Sequence, residues 1–261
     1  MKTRILTTAG IAFVLTAFFI SAAPSADEIM AKSYGLAKAD DMISTTTMTL
    51  TQQGGAVKTR KIKTSMRKTA EGTDSLAEFL SPSDVAGTKF LTIGNKTAGD
   101  SQRLYLPALG KIRKIASSGK GGKFMGSELS YYDMEEHSLK DFTYTYVKTN
   151  TVQSVRNGTN AVIACHVITS VPKSAEAPYS KMVISVGQDD FFVYRSEMYD
   201  KNGALEKTVS IAEVRTINGV LIPVKTTAAG VSGNVTAIQS DNITLNTGVS
   251  PDTFSIKNLE K

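Results

Sequence analysis

Ser127, Asp133 and His137 fall close together in GSELSYYDMEEH, and a serine, an acid and a histidine are the parts of a nucleophilic hydrolase. A short helix here would set Asp133 and His137 at i and i+4 on one face, where the acid could orient the imidazole. The G-x-S-x-G elbow that presents the serine in many lipases is missing. The plainer reading, and the preferred one, is a capping serine, a helix-surface acid and a surface histidine. The only cysteine, Cys165, sits in the apolar run AVIACHVI beside His166. Neighbours on a strand point to opposite faces, so His166 does not activate it, and Cys165 reads as a small buried hydrophobe. GKGGK lacks the spacing of a phosphate loop, because Lys123 is followed by Phe124. His137, His166 and Cys165 do not have metal-site spacing, so neither a metal nor another cofactor is expected.

Those residues belong to a longer stretch, Arg103 to Asp133, on which the chain is organised. It opens with Leu104, Tyr105 and Leu106 and turns at Pro107 to Gly110. Lys111, Arg113, Lys114, Lys120 and Lys123 follow, with no acid before Glu128. Gly119, Gly121 and Gly122 loosen the middle, and Phe124, Met125, Tyr131 and Tyr132 return apolar surface. Apolar residues, positive charge and backbone freedom together suit a rim that meets something amphipathic and anionic, such as a lipid. A basic hairpin followed by a solvated loop is the alternative.

Length and charge narrow the field. With 261 residues the chain is long enough for one large β-type domain with a sizeable core. A net charge of +6, part of it from Lys2 and Arg4, is too dilute for a nucleic-acid-binding face. Lys2 and Arg4 precede an apolar run from Ile11 to Ile20 and then SAAPSA, the order of a secretory signal peptide. The run is short for a membrane span, which needs about 20 apolar residues. Residues 1–25 are therefore expected to be a leader and residues 26–261 a single domain.

The elements that must position the central stretch follow in order. ADEIMAKSYGLAKADD reads as an amphipathic helix capped by Ser25 and Glu28 and ending near Asp40 or Asp41. From Ile43 the hydrophobic period becomes two, and a meander of strands begins. The basic strand Lys58 to Lys68 reads as a solvated face. SYYDMEEHSLK reads as a short helix capped by Ser130. Phe142, Tyr144 and Tyr146 alternate on the next strand. Asn157-Gly158, Asn202-Gly203 and Asn218-Gly219 turn the later strands into hairpins. About a dozen strands and two helices, without β-α-β alternation, predict a mainly β (α+β) fold: a curved antiparallel sheet or open barrel with helices packed against it.

YLPALGKIRKIASSGKGGKFMGSELSYYDM resembles the signature of outer-membrane lipoprotein-sorting proteins, the LolA/LolB-like group. It is most similar to the variant found beside resistance-nodulation-division type exporters. The ADEIM helix, SPSDVAGTKFLTI, INGVLIPVK and SPDTFSIKNLEK agree with it. The resemblance implies an unclosed antiparallel β-barrel with helices over or inside its mouth, and an apolar interior that holds acyl chains of lipids or lipid-anchored proteins. Leu104, Leu106, Phe124, Met125, Tyr131 and Tyr132 are then the candidate ligand-binding residues. Lys111, Arg113 and Lys114 are the candidates for headgroup or partner contact. The implied partners are a lipid or acylated-protein cargo, an inner-membrane exporter and an outer-membrane acceptor. No lipobox cysteine follows the leader, which favours a soluble periplasmic shuttle over an acylated anchor. An esterase or phospholipase using Ser127, Asp133 and His137 in the same cavity is the enzymatic alternative. A membrane- or partner-docking module is the third.

Overall fold

The computed structural model describes residues 24–260; the expected leader lies, but for its last two residues, outside the described residues. Helix α1, Ala26–Tyr34, opens the chain. Ser25 Oγ accepts from Glu28 N, and Ser25 N donates to the Glu28 carboxylate, so the expected capping box forms. The helix does not continue to Asp40. Gly35 terminates it, donating its N–H to Ala31 O, and the chain is recruited into β1 instead. Asp41 fixes that start: its carboxylate accepts from Thr247 N, Thr247 Oγ1 and Gly248 N.

Thirteen strands follow: β1 (Asp41–Thr51), β2 (Val57–Lys68), β3 (Thr73–Ser81), β4 (Lys89–Ile93), β5 (Ser101–Leu106), β6 (Lys111–Lys114), β7 (Phe142–Arg156), β8 (Thr159–Pro172), β9 (Lys181–Gly187), β10 (Val193–Tyr199), β11 (Leu205–Ile217), β12 (Val220–Gly230) and β13 (Val235–Leu245). They form one sheet in the order β10-β9-β8-β7-β11-β12-β13-β1-β2-β3-β4-β5-β6. Every pairing is antiparallel except β7 with β11, which meet over only two residue pairs, Val155 with Glu213 and Arg156 with Val214. β10 also pairs with β11, so the strands of that half curl into a ring. The sheet as a whole stays open, because β6 is a free edge. The hairpin from β7 to β8 turns at Asn157 (φ 48°) and Gly158 (φ 83°), two left-handed residues that give the twist a tight hairpin needs.

Alternation along the strands sends one set of side chains inward. Met48, Leu50, Ile62, Phe79, Phe90 and Leu104 form a buried cluster that Ile115 and Phe124 complete. Ile29 and Met30 of α1 pack on Ile168, Ile184 and Val186. On the opposite side of β3 and β4, Leu76 and Leu91 are covered by Phe254 and by Leu259 of the short helix α2, Ile256–Leu259.

The helix expected over SYYDMEEHSLK is absent. Two single 3-10 turns, Tyr132–Met134 and Leu139–Asp141, stand in its place, with Glu135 extended between them. Ser130 and Asp133 still cap each other, Ser130 N to Asp133 Oδ2 at 2.7 Å and Asp133 N to Ser130 Oγ at 3.2 Å. Tertiary bonds draw the next residues out of helical register. Glu135 pairs with Lys120, and Glu136 N donates to Asp100 Oδ2.

Candidate functional site

The inward faces of β1 to β4 and of β13 enclose a cavity of about 500 Å³. Met48, Ile62, Met66, Phe90, Phe124 and Ile238 give it an apolar lining, and Met134 closes one side. Its size lies within the usual range for small-ligand sites, roughly 300–1,000 Å³. Phe124 stacks among aromatic rings at centroid distances of 6.1 Å to Phe79, 5.0 Å to Phe90 and 5.8 Å to Tyr131. The roof is residues 120–136, the second half of the central stretch and the three residues after it.

That roof is tied to strands distant in sequence. A bridge between Lys123 and Ser130 folds it into a small loop, with Phe124 N donating to Leu129 O at 2.7 Å. Glu128 N donates to Thr236 Oγ1 of β13, and Gln102 Nε2 of β5 donates to Tyr131 O. Arg60 of β2 donates to Met125 O at 2.5 Å and lies over the Phe79 ring. Met125 is held at φ 49°, a left-handed conformation unfavourable for a side chain of its size, and Arg60 grips its carbonyl. Asp133 accepts from Lys207 Nζ at 2.6 Å and from Tyr179 OH at 2.8 Å, and Ser130 Oγ lies 3.1 Å from that hydroxyl.

Beside the apolar cavity lies a more polar crevice of about 750 Å³. The two share Lys38, Thr73, Asp100, Glu135 and Glu136. Burial raises the Glu135 carboxyl above its ordinary value, and the Lys120 ammonium only partly opposes it. Lys38 pairs with Glu136 at 2.6 Å. One end of the apolar cavity is therefore charged and the other is not.

The structure gathers five of the six residues read as ligand-binding. Leu104 and Phe124 are buried in the large cluster, and Leu106, Met125 and Tyr131 pack against it half-buried. Phe124 alone of these touches the cavity. Tyr132 faces elsewhere, stacking on His137 at 4.3 Å and meeting Tyr179 edge-on at 5.8 Å, and it lines the polar crevice. Lys111, Arg113 and Lys114 are exposed on the edge strand β6, and none is in an ion pair among the described residues. Leu109, at the tip of the same hairpin, is 64% exposed.

Ser127, Asp133 and His137 are not joined by hydrogen bonds. Ser127 Oγ is buried and bonds within its own turn, to Leu129 O and N. The carboxylate of Asp133 is engaged by Lys207, Tyr179 and Ser130, and His137 Nε2 lies against Tyr132 O. Without the helix, the i and i+4 alignment that motivated the triad is lost. Cys165 is fully buried against Tyr194 and Val214, and burial pushes its thiol up to about 11. His166 points the other way, toward the Tyr146 ring. Among the described residues no cluster of acids, histidines and cysteine could hold a metal ion, and no helix is long and apolar enough to cross a membrane.

Arg60, Met66, Met134, Lys207 and Ile238 were not picked out by sequence reasoning. Arg60 had a visible signal, since it shares strand parity with the inward Ile62. Lys207 had none, because its partner lies 74 residues away.

Comparison with known proteins agrees with this architecture. A family model described as "Uncharacterized protein" matches residues 71–261. No curated protein matches the sequence. Among solved structures, the chain is similar to a domain described as that of an outer membrane lipoprotein-sorting protein from Vibrio parahaemolyticus. The two are 25% identical with a TM-score of 0.83, over 90% of this chain and 98% of that one. It is similar to a DUF1329 family protein from Desulfovibrio piger, 26% identical with a TM-score of 0.82, over 90% and 97% of the two chains. A LolA superfamily protein from Nitrosomonas europaea, 14% identical with a TM-score of 0.69 over 90% and 100%, has the same fold. The chain belongs to the family covered by that model, and it has the fold of the LolA superfamily.

Proposed function

We propose that the protein is a periplasmic carrier that takes an acyl chain of a lipid or lipid-anchored protein into the apolar cavity and moves it toward the outer membrane. Residues 26–261 act as one carrier domain, delivered by the leader in residues 1–25. The observation that carries this reading is the aromatic-lined cavity of about 500 Å³ roofed by the loop of residues 120–136. An acyl chain in water is disfavoured by about 0.8 kcal/mol per CH₂, so an aqueous crossing requires such a shelter. Phe124 meets the chain directly, Leu104, Leu106, Met125 and Tyr131 pack behind it in the apolar cluster, and Tyr132 stands at the polar side. Lys111, Arg113, Lys114 and the exposed Leu109 meet an anionic membrane surface or the exporter and acceptor that give and receive the cargo.

Met134 and Met66 are half-buried cavity-lining residues; Met134 also packs against the buried cluster, whereas Met66 does not. Met134→Glu and Met66→Glu are expected to weaken displacement-assay binding of a fluorescent fatty acid at least about tenfold, since each would bury a charge beside the chain. Unchanged binding in both folded variants would overturn the assignment of this cavity.

A further inference from the structure

The cavity is not apolar throughout. Across β3, β4 and β5, Ser75 pairs with Thr92 and Thr92 pairs with Gln102, so one transverse row of the inner face is polar on three successive strands. The neighbouring row, Ala77, Phe90 and Leu104, is apolar. Ser75 and Thr92 line the cavity. Thr92 is only 2% exposed, yet its hydroxyl bonds to no protein group among the described residues. Gln102 is fully buried, and its Nε2 is committed to Tyr131 O at 2.8 Å. That bond fixes the amide, because a flip would set two oxygens against each other. Gln102 Oε1 is thereby left as a buried acceptor without a donor. Buried polar groups are disfavoured unless bonded, so an unpartnered Thr92 hydroxyl in the cavity wall, with the unpartnered Gln102 Oε1 on the next strand behind it, points to a ligand that carries its own hydrogen-bonding group.

The row lies on the charged side of the cavity. Thr73 continues β3 past Ser75 and is shared with the crevice that Lys38, Asp100, Glu135 and Glu136 line. A cargo with its headgroup in that crevice and its tail among Phe90, Phe124 and Ile238 would carry the atoms nearest its headgroup past Ser75 and Thr92.

We infer that the cargo is an acyl lipid bearing a hydroxyl group near its headgroup end, recognised by the row Ser75–Thr92–Gln102. An ester carbonyl offers only an acceptor; a hydroxyl can both donate and accept at the row. This inference rests on the carrier reading and deepens it.

The test compares tetradecanoic acid with 3-hydroxytetradecanoic acid as competitors of a fluorescent fatty acid bound to the mature protein. The hydroxylated chain is expected to bind about five- to tenfold more tightly, the worth of one additional buried hydrogen bond. Thr92→Val keeps the shape and removes the hydroxyl, so it should erase most of that preference. Thr92→Ser should retain the preference, and it serves if the valine variant fails to fold. Equal affinities in the wild-type protein, or a preference that survives in Thr92→Val, would overturn the inference while leaving the carrier reading intact. Displacement by neither acid would remove the carrier reading and the inference with it.

Discussion

Lys207 Nζ lies 2.6 Å from Asp133 Oδ2, with side-chain exposures of 3% and 8%. The pair joins β11 to the loop that roofs the cavity, and Tyr179 and Ser130 saturate the rest of the carboxylate. Removing one member leaves the other charged and buried. Lys207→Met should therefore destabilise the protein by about 3–5 kcal/mol in denaturant unfolding. The double variant Lys207→Met with Asp133→Asn should be less destabilised than the single one, because no lone charge remains. Equal losses would mean that the lysine stem, not its charge, holds the roof.

Asp41 links the two chain ends of the sheet. Burial acts to raise its carboxyl, but the N–H groups of Thr247 and Gly248 and the Thr247 hydroxyl together outweigh it and hold the group below its ordinary value. A lowered folded-state value contributes stability that is fully present above the unfolded carboxylate value, about 3.9, and is lost as pH falls through the folded value. Asp41→Asn should be less stable than the wild type at pH 7. The difference should narrow as pH drops below about 3.9. A difference that is constant from pH 7 to pH 2 would contradict this account of Asp41.

Cys165 is shielded and its thiol is raised to about 11 by burial. Thiolate is the reactive form, so labelling by a thiol reagent at pH 8 should be at least about 100-fold slower in the native protein than in denaturant. Rapid native labelling would show that the β8 face around Val152, Ile163 and Tyr194 opens readily.

Lys111, Arg113 and Lys114 are exposed on the free edge strand. Lysines there also discourage edge-to-edge pairing with another sheet. If the strand meets an anionic surface, replacing all three with glutamine should weaken binding to anionic vesicles by about 1 kcal/mol per residue. Wild-type binding should fall as salt is raised. Cavity loading should be unaffected in the triple variant. Vesicle binding that the substitutions leave unchanged would confine the three residues to edge protection.

The strands were readable because each carries its own period, as β1 does in Thr47, Met48, Thr49 and Leu50, and because Asn157-Gly158 can only turn sharply. The central stretch was readable as the organising segment, and of its other aromatic residues Tyr131 meets Phe124. What sequence could not show is decided between segments. Tyr131 and Tyr132 are neighbours, yet Gln102 turns one toward Phe90 and the other meets His137 and Tyr179. The expected helix over Ser130 to Lys140 lost to tertiary bonds from Lys120, Asp100 and Lys207. The polar row Ser75–Thr92–Gln102 exists only because of strand register, which no single strand records.

The most direct measurement is native mass spectrometry of the mature protein purified from its periplasm, followed by lipid extraction. The carrier account predicts an intact lipid or acylated polypeptide bound at one copy per protein. Free fatty acid with lysolipid would instead indicate cleavage, and a protein that is empty and cannot be loaded with any acyl chain would contradict the account.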